Sequence, residues 1–149
     1  MKEVDIYTDG ACSHNPGEGG WGVVLIYKGT EKRMSGYAEA TTNNIMELTA
    51  AVKGLEALLE PCRVTLYSDS AYLVNGFRLG WVEKWRRLGW KRTPNDPLKN
   101  KEIWMRLYEL TGYHKVDFVK VKGHSDNEYN NICDQMAVQA IKDKKGSPS

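Results

Sequence analysis

The chain has no uninterrupted apolar run of the length that a membrane-spanning helix needs. Its amino terminus lacks the pattern of a secretory signal, because charged Lys2, Glu3 and Asp5 surround only short apolar pieces. Cysteine is scarce: Cys12, Cys62 and Cys133 are odd in number and form no C-x-x-C pair, which argues against a disulfide framework and for free thiols in a reducing compartment. A cytoplasmic location is the expectation. No repeat, linker or second domain divides the 149 residues, so a single domain over 1–143 with a polar, frayed tail over 144–149 is expected. With no apolar stripe left over once the core is assigned, that domain is expected to be a monomer.

A hydrophobic fraction of 41% and a charged fraction of 27% are ordinary for a globular protein. The charges, however, are segregated. Between Trp81 and Lys101, seven cations (Lys84, Arg86, Arg87, Lys91, Arg92, Lys99, Lys101) face two acids (Glu83, Asp96), a net +5, while the remainder has fourteen cations against seventeen acids, a net −3. A basic face on a mildly acidic body points to a polyanionic partner.

Val4 to Asp9 alternates as a strand, with Val4, Ile6 and Thr8 on one face, and is expected to end at Asp9-Gly10. Gly10 to Gly20 reads as a turn-rich connection, Trp21 to Tyr27 as a second strand, Lys28-Gly29 as a turn and Glu31 to Glu39 as a third, together an antiparallel meander. From Asn44 the period turns helical through Leu48, Ala51, Val52, Leu55, Leu58 and Leu59, stopped by Pro61. Arg63 to Ser68 is a fourth strand, and the crossover makes it parallel to the first. Short helices over Ala71–Arg78 and Trp81–Leu88, an amphipathic helix over Asn100–Leu110, a fifth strand over Lys115–Val121 and a last helix from about Cys133 complete an α/β fold, a five-stranded mixed sheet flanked by helices.

Four acids stand out by placement. Each also has an ordinary reading: Asp9 as a turn former, Glu47 as the N3 member of a capping box begun by Asn44, and Asp69 and Asp134 as N-caps. Yet Asp9 and Asp69 end parallel neighbours at one sheet edge, Glu47 starts the helix that arrives there, and Asp134 starts the helix after strand five. Two carboxylates about 4 Å apart repel by about 4 kcal/mol at an effective dielectric near 20, so something positive is expected between them. An oxygen-only set suits Mg²⁺ or Mn²⁺ and two-metal phosphoryl chemistry. A zinc site from Cys12, His14, His124 and Cys133 matches no usual spacing.

Tyr7-Thr8-Asp9-Gly10-Ala11, Thr42-Asn43-Asn44-Ile45-Met46-Glu47, Tyr67-Ser68-Asp69-Ser70, Val121-Lys122-Gly123-His124 and Cys133-Asp134 appear in the order and spacing of the bacterial type 1 ribonuclease H family, which this chain resembles over nearly its whole length. The resemblance implies a metal-dependent endonuclease that hydrolyses the RNA strand of RNA/DNA hybrids, leaving 5′-phosphate and 3′-hydroxyl ends. It implies a metal-binding catalytic quartet of Asp9, Glu47, Asp69 and Asp134, with two Mg²⁺ ions that Mn²⁺ can replace, and a catalytic His124 assisting proton transfer or product release. Asn15, Asn43 and Asn44 would contact the hybrid, and Thr42 a DNA phosphate. Trp81 to Lys101 resembles the family's basic protrusion, so Lys84, Arg86, Arg87, Trp90 and Lys91 join the substrate-binding set, while Trp81 and Trp85 are assigned first to the protrusion's own core.

Departures from the family pattern are few. Ala71 stands where many relatives carry a glutamine near substrate. In the loop before the last helix, Asn130 keeps the first member of an Asn-Glu pair and Asn131 replaces the acid. There are two rivals: a DNA-processing nuclease or strand transferase of the same fold, and, from another class, a non-catalytic hybrid-binding module. Asparagines placed for 2′-hydroxyl contact oppose the first, and a complete acidic quartet opposes the second.

Overall fold

The computed structural model describes residues 1–122 and 127–147. The chain runs β1 (Lys2–Cys12), β2 (Gly17–Tyr27), β3 (Thr30–Thr41), α1 (Asn43–Glu56), β4 (Cys62–Ser68), α2 (Ala71–Arg78), α3 (Trp81–Arg87), β5 (Lys91–Thr93), β6 (Asp96–Pro97), α4 (Lys101–Tyr113), β7 (Lys115–Lys120) and α5 (Glu128–Asp143). Five strands form one sheet in the order β3-β2-β1-β4-β7. β1, β2 and β3 are antiparallel, whereas β4 is parallel to both β1 and β7. The mixed sheet expected from the alternation and the crossover is present. The extra pair β5-β6 is a small separate ribbon within the basic stretch.

Strand alternation decides which helix covers which face. Val4, Ile6 and Thr8 of β1, with Val64, Leu66 and Ser68 of β4, are buried on one side. There α1 packs through Leu48, Ala51 and Leu55, backed by Trp104 and Leu107 of α4. On the opposite side α5 lies across β1, β2 and β3. Its close approach requires glycine: a Cβ on Gly22 would collide with the Cys133 carbonyl, and one on Gly20 with that of Ala137. Lys28 and Gly29, both at positive φ, close the β2-β3 hairpin. No helix among the described residues is long and apolar enough to cross a membrane.

Several boundaries differ from the sequence reading. β1 does not end at Asp9 but continues to Cys12, because Asp9 to Cys12 keep partners on β2 (Asp9 opposite Gly22, Cys12 opposite Gly19). The turn is accordingly confined to residues 13–16, where the Asn15-Pro16 peptide is cis. α1 ends at Glu56, and Leu59, expected on its apolar stripe, is 97% exposed in the link to β4. The residue before a proline disfavours helix, and β4 begins directly after Pro61, so the chain leaves the helix early to make the return. α4 runs on to Tyr113. α5 starts at Glu128, about five residues before the expected Cys133, with Asn127 as its N-cap. The tail is docked as far as Ser147 rather than frayed: Lys144 Nζ donates to Glu18 Oε2 (2.6 Å) and Ser35 N–H to the Ser147 carbonyl (3.0 Å).

Candidate active site

The parallel ladder between β1 and β4 has its last rung at Tyr7 and Tyr67, whose rings stack at 4.4 Å. Asp9 and Asp69 each lie two residues beyond that rung, where β4 stops and β1 goes on with β2 alone. The strands part there, and the acids meet at the opening. Asp69 is held by the turn that leads into α2: Ser70 N–H donates to Ser68 Oγ (3.0 Å), and Ser70 Oγ accepts from Leu73 N–H (3.2 Å) as the helix N-cap. Ser70, not Asp69, therefore fills the capping role.

Glu47 reaches the same point from the other side of the sheet. The N-cap of α1 is Thr42, whose Oγ1 accepts from Ile45 N–H (3.2 Å), so Glu47 lies in the second turn and is not part of a capping box. Its Oε1 instead accepts from Gly10 N–H (2.7 Å). Only glycine fits at position 10, since a Cβ would come within 2.5 Å of the Glu47 nitrogen. Asp134 comes from α5. Because that helix starts at Glu128, Asp134 sits in its second turn rather than at its cap, facing the cleft one turn after Asn130.

Carboxylate oxygens of Asp9, Glu47 and Asp69 all lie within 4.8 Å of one another. Asp134 joins them in lining a cleft of about 270 Å³, together with Ala11, Cys12, Asn43, Asn130 and Asn131. Asp9 is 4% exposed and Glu47 5%. Burial, then the charges of Asp69 and Asp134, push the Asp9 carboxyl up to about 8. Burial, then Asp9 and Asp69, raise Glu47 well above the usual carboxylate range, and the Gly10 N–H only partly opposes this. No lysine or arginine lines the cleft among the described residues, so the positive charge expected between the acids is not supplied by those side chains. A dense oxygen-only donor set, costly to ionise and short of protein cations, fits a hard divalent ion.

The other predicted residues divide into two groups. Asn43 lines the cleft and its N–H donates to Asn15 Oδ1 (3.0 Å), which ties the residue 13–16 turn to the start of α1, and Asn44 is exposed next to Asn43. Ala71 is exposed in the first turn of α2. In the basic stretch, Glu83 binds Arg86 (2.5 Å) and Arg87 (3.4 Å), and Asp96 binds Arg92 (3.0 Å). Lys84 and Lys91 are exposed without an acidic partner among the described residues. Trp85 stands edge-on to Trp104 (5.2 Å) and Trp90 to Tyr108 (5.5 Å), so both rings anchor the protrusion. Trp81, assigned to that core in advance, is 38% exposed. His124 lies outside the described residues. Of the histidines given no role, His114 is buried, with Nδ1 accepting from Cys62 N–H (3.0 Å) and burial lowering its pKa.

Sequence reasoning missed Gly10 as the donor to Glu47, and it placed Asn130 and Asn131 in a loop. Asn127-Glu128, a capping residue followed by an acid, was the available signal for the earlier helix start.

A cluster of carboxylates where parallel strands part defines a class of protein, one suited to phosphoryl-transfer chemistry with hard divalent cations. The family model RNase H matches residues 1–142. A Ribonuclease H of Acetivibrio thermocellus is 60% identical over 142 residues, covering 95% of this chain and 97% of the relative. Among solved structures, LC9-RNase H1, described as a type 1 RNase H with the type 2 active-site motif, superposes with a TM-score of 0.82 at 28% identity, over 100% of this chain and 78% of that one. LC11-RNase H1, solved in complex with an RNA/DNA hybrid, does so at 0.72 and 26%, over 95% and 98%. The chain belongs to the RNase H family and is an enzyme of that family, a ribonuclease.

Proposed function

We propose that this ribonuclease hydrolyses the RNA strand of RNA/DNA hybrids internally, leaving 5′-phosphate and 3′-hydroxyl ends. The observation that carries the reading is the meeting of Asp9, Glu47 and Asp69 oxygens within 4.8 Å, with Asp134 in the same cleft and no cation among its described lining residues. The hybrid in the LC11-RNase H1 complex supports the choice of substrate.

Asp9, Glu47, Asp69 and Asp134 would hold divalent metal, two Mg²⁺ ions being the preferred complement and Mn²⁺ an acceptable one. Bound there, Mg²⁺ supplies Lewis-acid stabilisation of charge on phosphate oxygens and lowers the pKa of water. The chain's own contribution is placement. Gly10 N–H fixes the Glu47 carboxylate, the Ser68–Ser70 turn fixes Asp69, and α5 fixes Asp134. His124 assists proton transfer or product release. Asn15, Asn43 and Asn44 contact the hybrid, where amides can read 2′-hydroxyls, and Thr42 contacts a DNA phosphate. Lys84 and Lys91, with the paired Arg86 and Arg87, give the protrusion its phosphate contacts, and Trp90 shapes the surface that carries them. The protein acts as a cytoplasmic monomer.

The test is cleavage of end-labelled RNA/DNA hybrid, double-stranded RNA, single-stranded RNA and duplex DNA, with Mg²⁺ and with chelator. Metal-dependent cutting of the RNA strand of the hybrid alone is the expected result. Cutting of duplex DNA would favour a DNA-processing nuclease, and tight hybrid binding without cutting a binding module.

A further inference from the structure

Asn130 is a residue of the cleft whose hydrogen bonding the described residues leave incomplete. It stands in the first turn of α5, one turn before Asp134, and is 2% exposed. Its main chain is fixed, since the N–H donates to the capping Asn127 Oδ1 (2.9 Å). The helix itself is pressed onto Gly20 and Gly22 and tied by the Cys133 thiol to the Tyr7 carbonyl (3.3 Å). Asn130 Oδ1 is nevertheless buried with no hydrogen-bond partner among the described residues, in a side chain that lines the cleft beside Asp9 and Asp134.

Buried amide oxygens are almost always satisfied by protein or ordered water, and one left bare is a net cost. The four acids of the cleft cannot satisfy it once ionised, because a carboxylate only accepts. With the acids ionised, no donor to it stands among the described residues, so the donor comes from what the cleft takes up. An oxygen buried in this way admits a donor the size of a water molecule more readily than a hydroxyl carried on a duplex backbone.

We propose that Asn130 is a positioning residue of the acidic cleft. Its carboxamide oxygen accepts a hydrogen bond from a water molecule that solvates a divalent cation held by Asp9 and Asp134. The inference rests on the cation-binding reading of the cleft, and it adds a polar neutral side chain to a set of four acids. A carboxamide there orients water without adding to the repulsion that already raises Asp9 and Glu47.

The test uses the intact protein and Mg²⁺ alone. Side-chain amide resonances of the wild type are followed through a Mg²⁺ titration, and the Mg²⁺ midpoint and the melting temperature in chelator are compared with those of Asn130→Ala. The expected results are a saturable shift of the Asn130 amide and a Mg²⁺ midpoint raised about fivefold in the variant. Its melting temperature in chelator should equal or exceed the wild-type value, because the variant loses an unsatisfied group. Equal Mg²⁺ midpoints overturn the proposal, whether the variant melts lower, as for a structural amide, or binds hybrid more weakly, as for a substrate contact. Should the variant not fold, the wild-type resonance decides: an Asn130 amide silent at saturating Mg²⁺ overturns the proposal. A wild type in which no cleft residue responds to Mg²⁺ instead overturns the cation-binding reading itself, a separate result.

Discussion

The acidic cleft and the basic protrusion hold charge in opposite ways. In the cleft, two nearly buried acids, Asp9 and Glu47, press against Asp69 and Asp134, and the main compensating donor seen is the Gly10 N–H. In the protrusion, Glu83 and Asp96 pair with three arginines at the exposed surface, and the lysines stand in solvent. Exposed pairs of this kind contribute little to stability, about 0–1 kcal/mol each. The cleft's arrangement costs the fold free energy and gains it back only with a bound cation, whereas the protrusion's arrangement is stable alone and merely presents charge. On the proposed reading, the concentrated charge conflict is the place of chemistry and the dispersed charge of one sign the place of binding.

The largest effect expected from this contrast is on turnover. Asp9→Asn should lower single-turnover cleavage by at least about 10³-fold, on the scale of losing a principal transition-state interaction, while hybrid affinity stays within a few-fold. Parallel loss of both quantities would blur the two regions into one. Next in size is a packing effect inside the protrusion. Trp85→Ala should destabilise by about 3 kcal/mol through loss of its contact with Trp104, and Trp81→Ala by less than about 1 kcal/mol, as read by chemical denaturation.

The pH dependence comes from the raised Asp9 carboxyl. Below its ordinary value of 3.8 the acid is protonated folded or unfolded, so it makes no difference to stability. As pH rises from there to about 8, the unfolded chain releases the proton and the folded chain retains it, so the metal-free protein loses stability across that window. Melting scans in chelator should show this fall, and the rise in melting temperature on adding Mg²⁺ should be larger at pH 8 than at pH 5. Asp9→Asn should flatten the chelator curve. The smallest effects belong to single protrusion lysines. Lys84→Ala or Lys91→Ala should weaken hybrid binding several-fold and reduce the salt slope by about 1, whereas Arg92→Ala, already occupied by Asp96, should do less.

Much of this was legible in the sequence where a local rule matched the tertiary arrangement. The alternation of Val4, Ile6 and Thr8 placed β1 and its buried face, and the strand-helix-strand order placed β4 parallel to it. What escaped were partners supplied from far along the chain. Asp9-Gly10 has the look of a turn, yet the chain stays extended because β2 offers partners as far as Gly19. Glu47 has the spacing of a cap residue, yet it bonds Gly10, 37 residues away, because Thr42 already caps the helix. Asn130 matches the family pattern, yet nothing in the sequence marks its bare carboxamide oxygen, which depends on three other elements bringing acids to its side.

The most direct test of the central claim is single-turnover cleavage at saturating hybrid, measured side by side for Asp69→Asn and for Lys84→Ala combined with Lys91→Ala. The account predicts that Asp69→Asn binds but does not cut, while the double lysine variant, once saturated, cuts at close to the wild-type rate. Cleavage by Asp69→Asn near the wild-type rate, or a double lysine variant that stays slow at saturation, would contradict it.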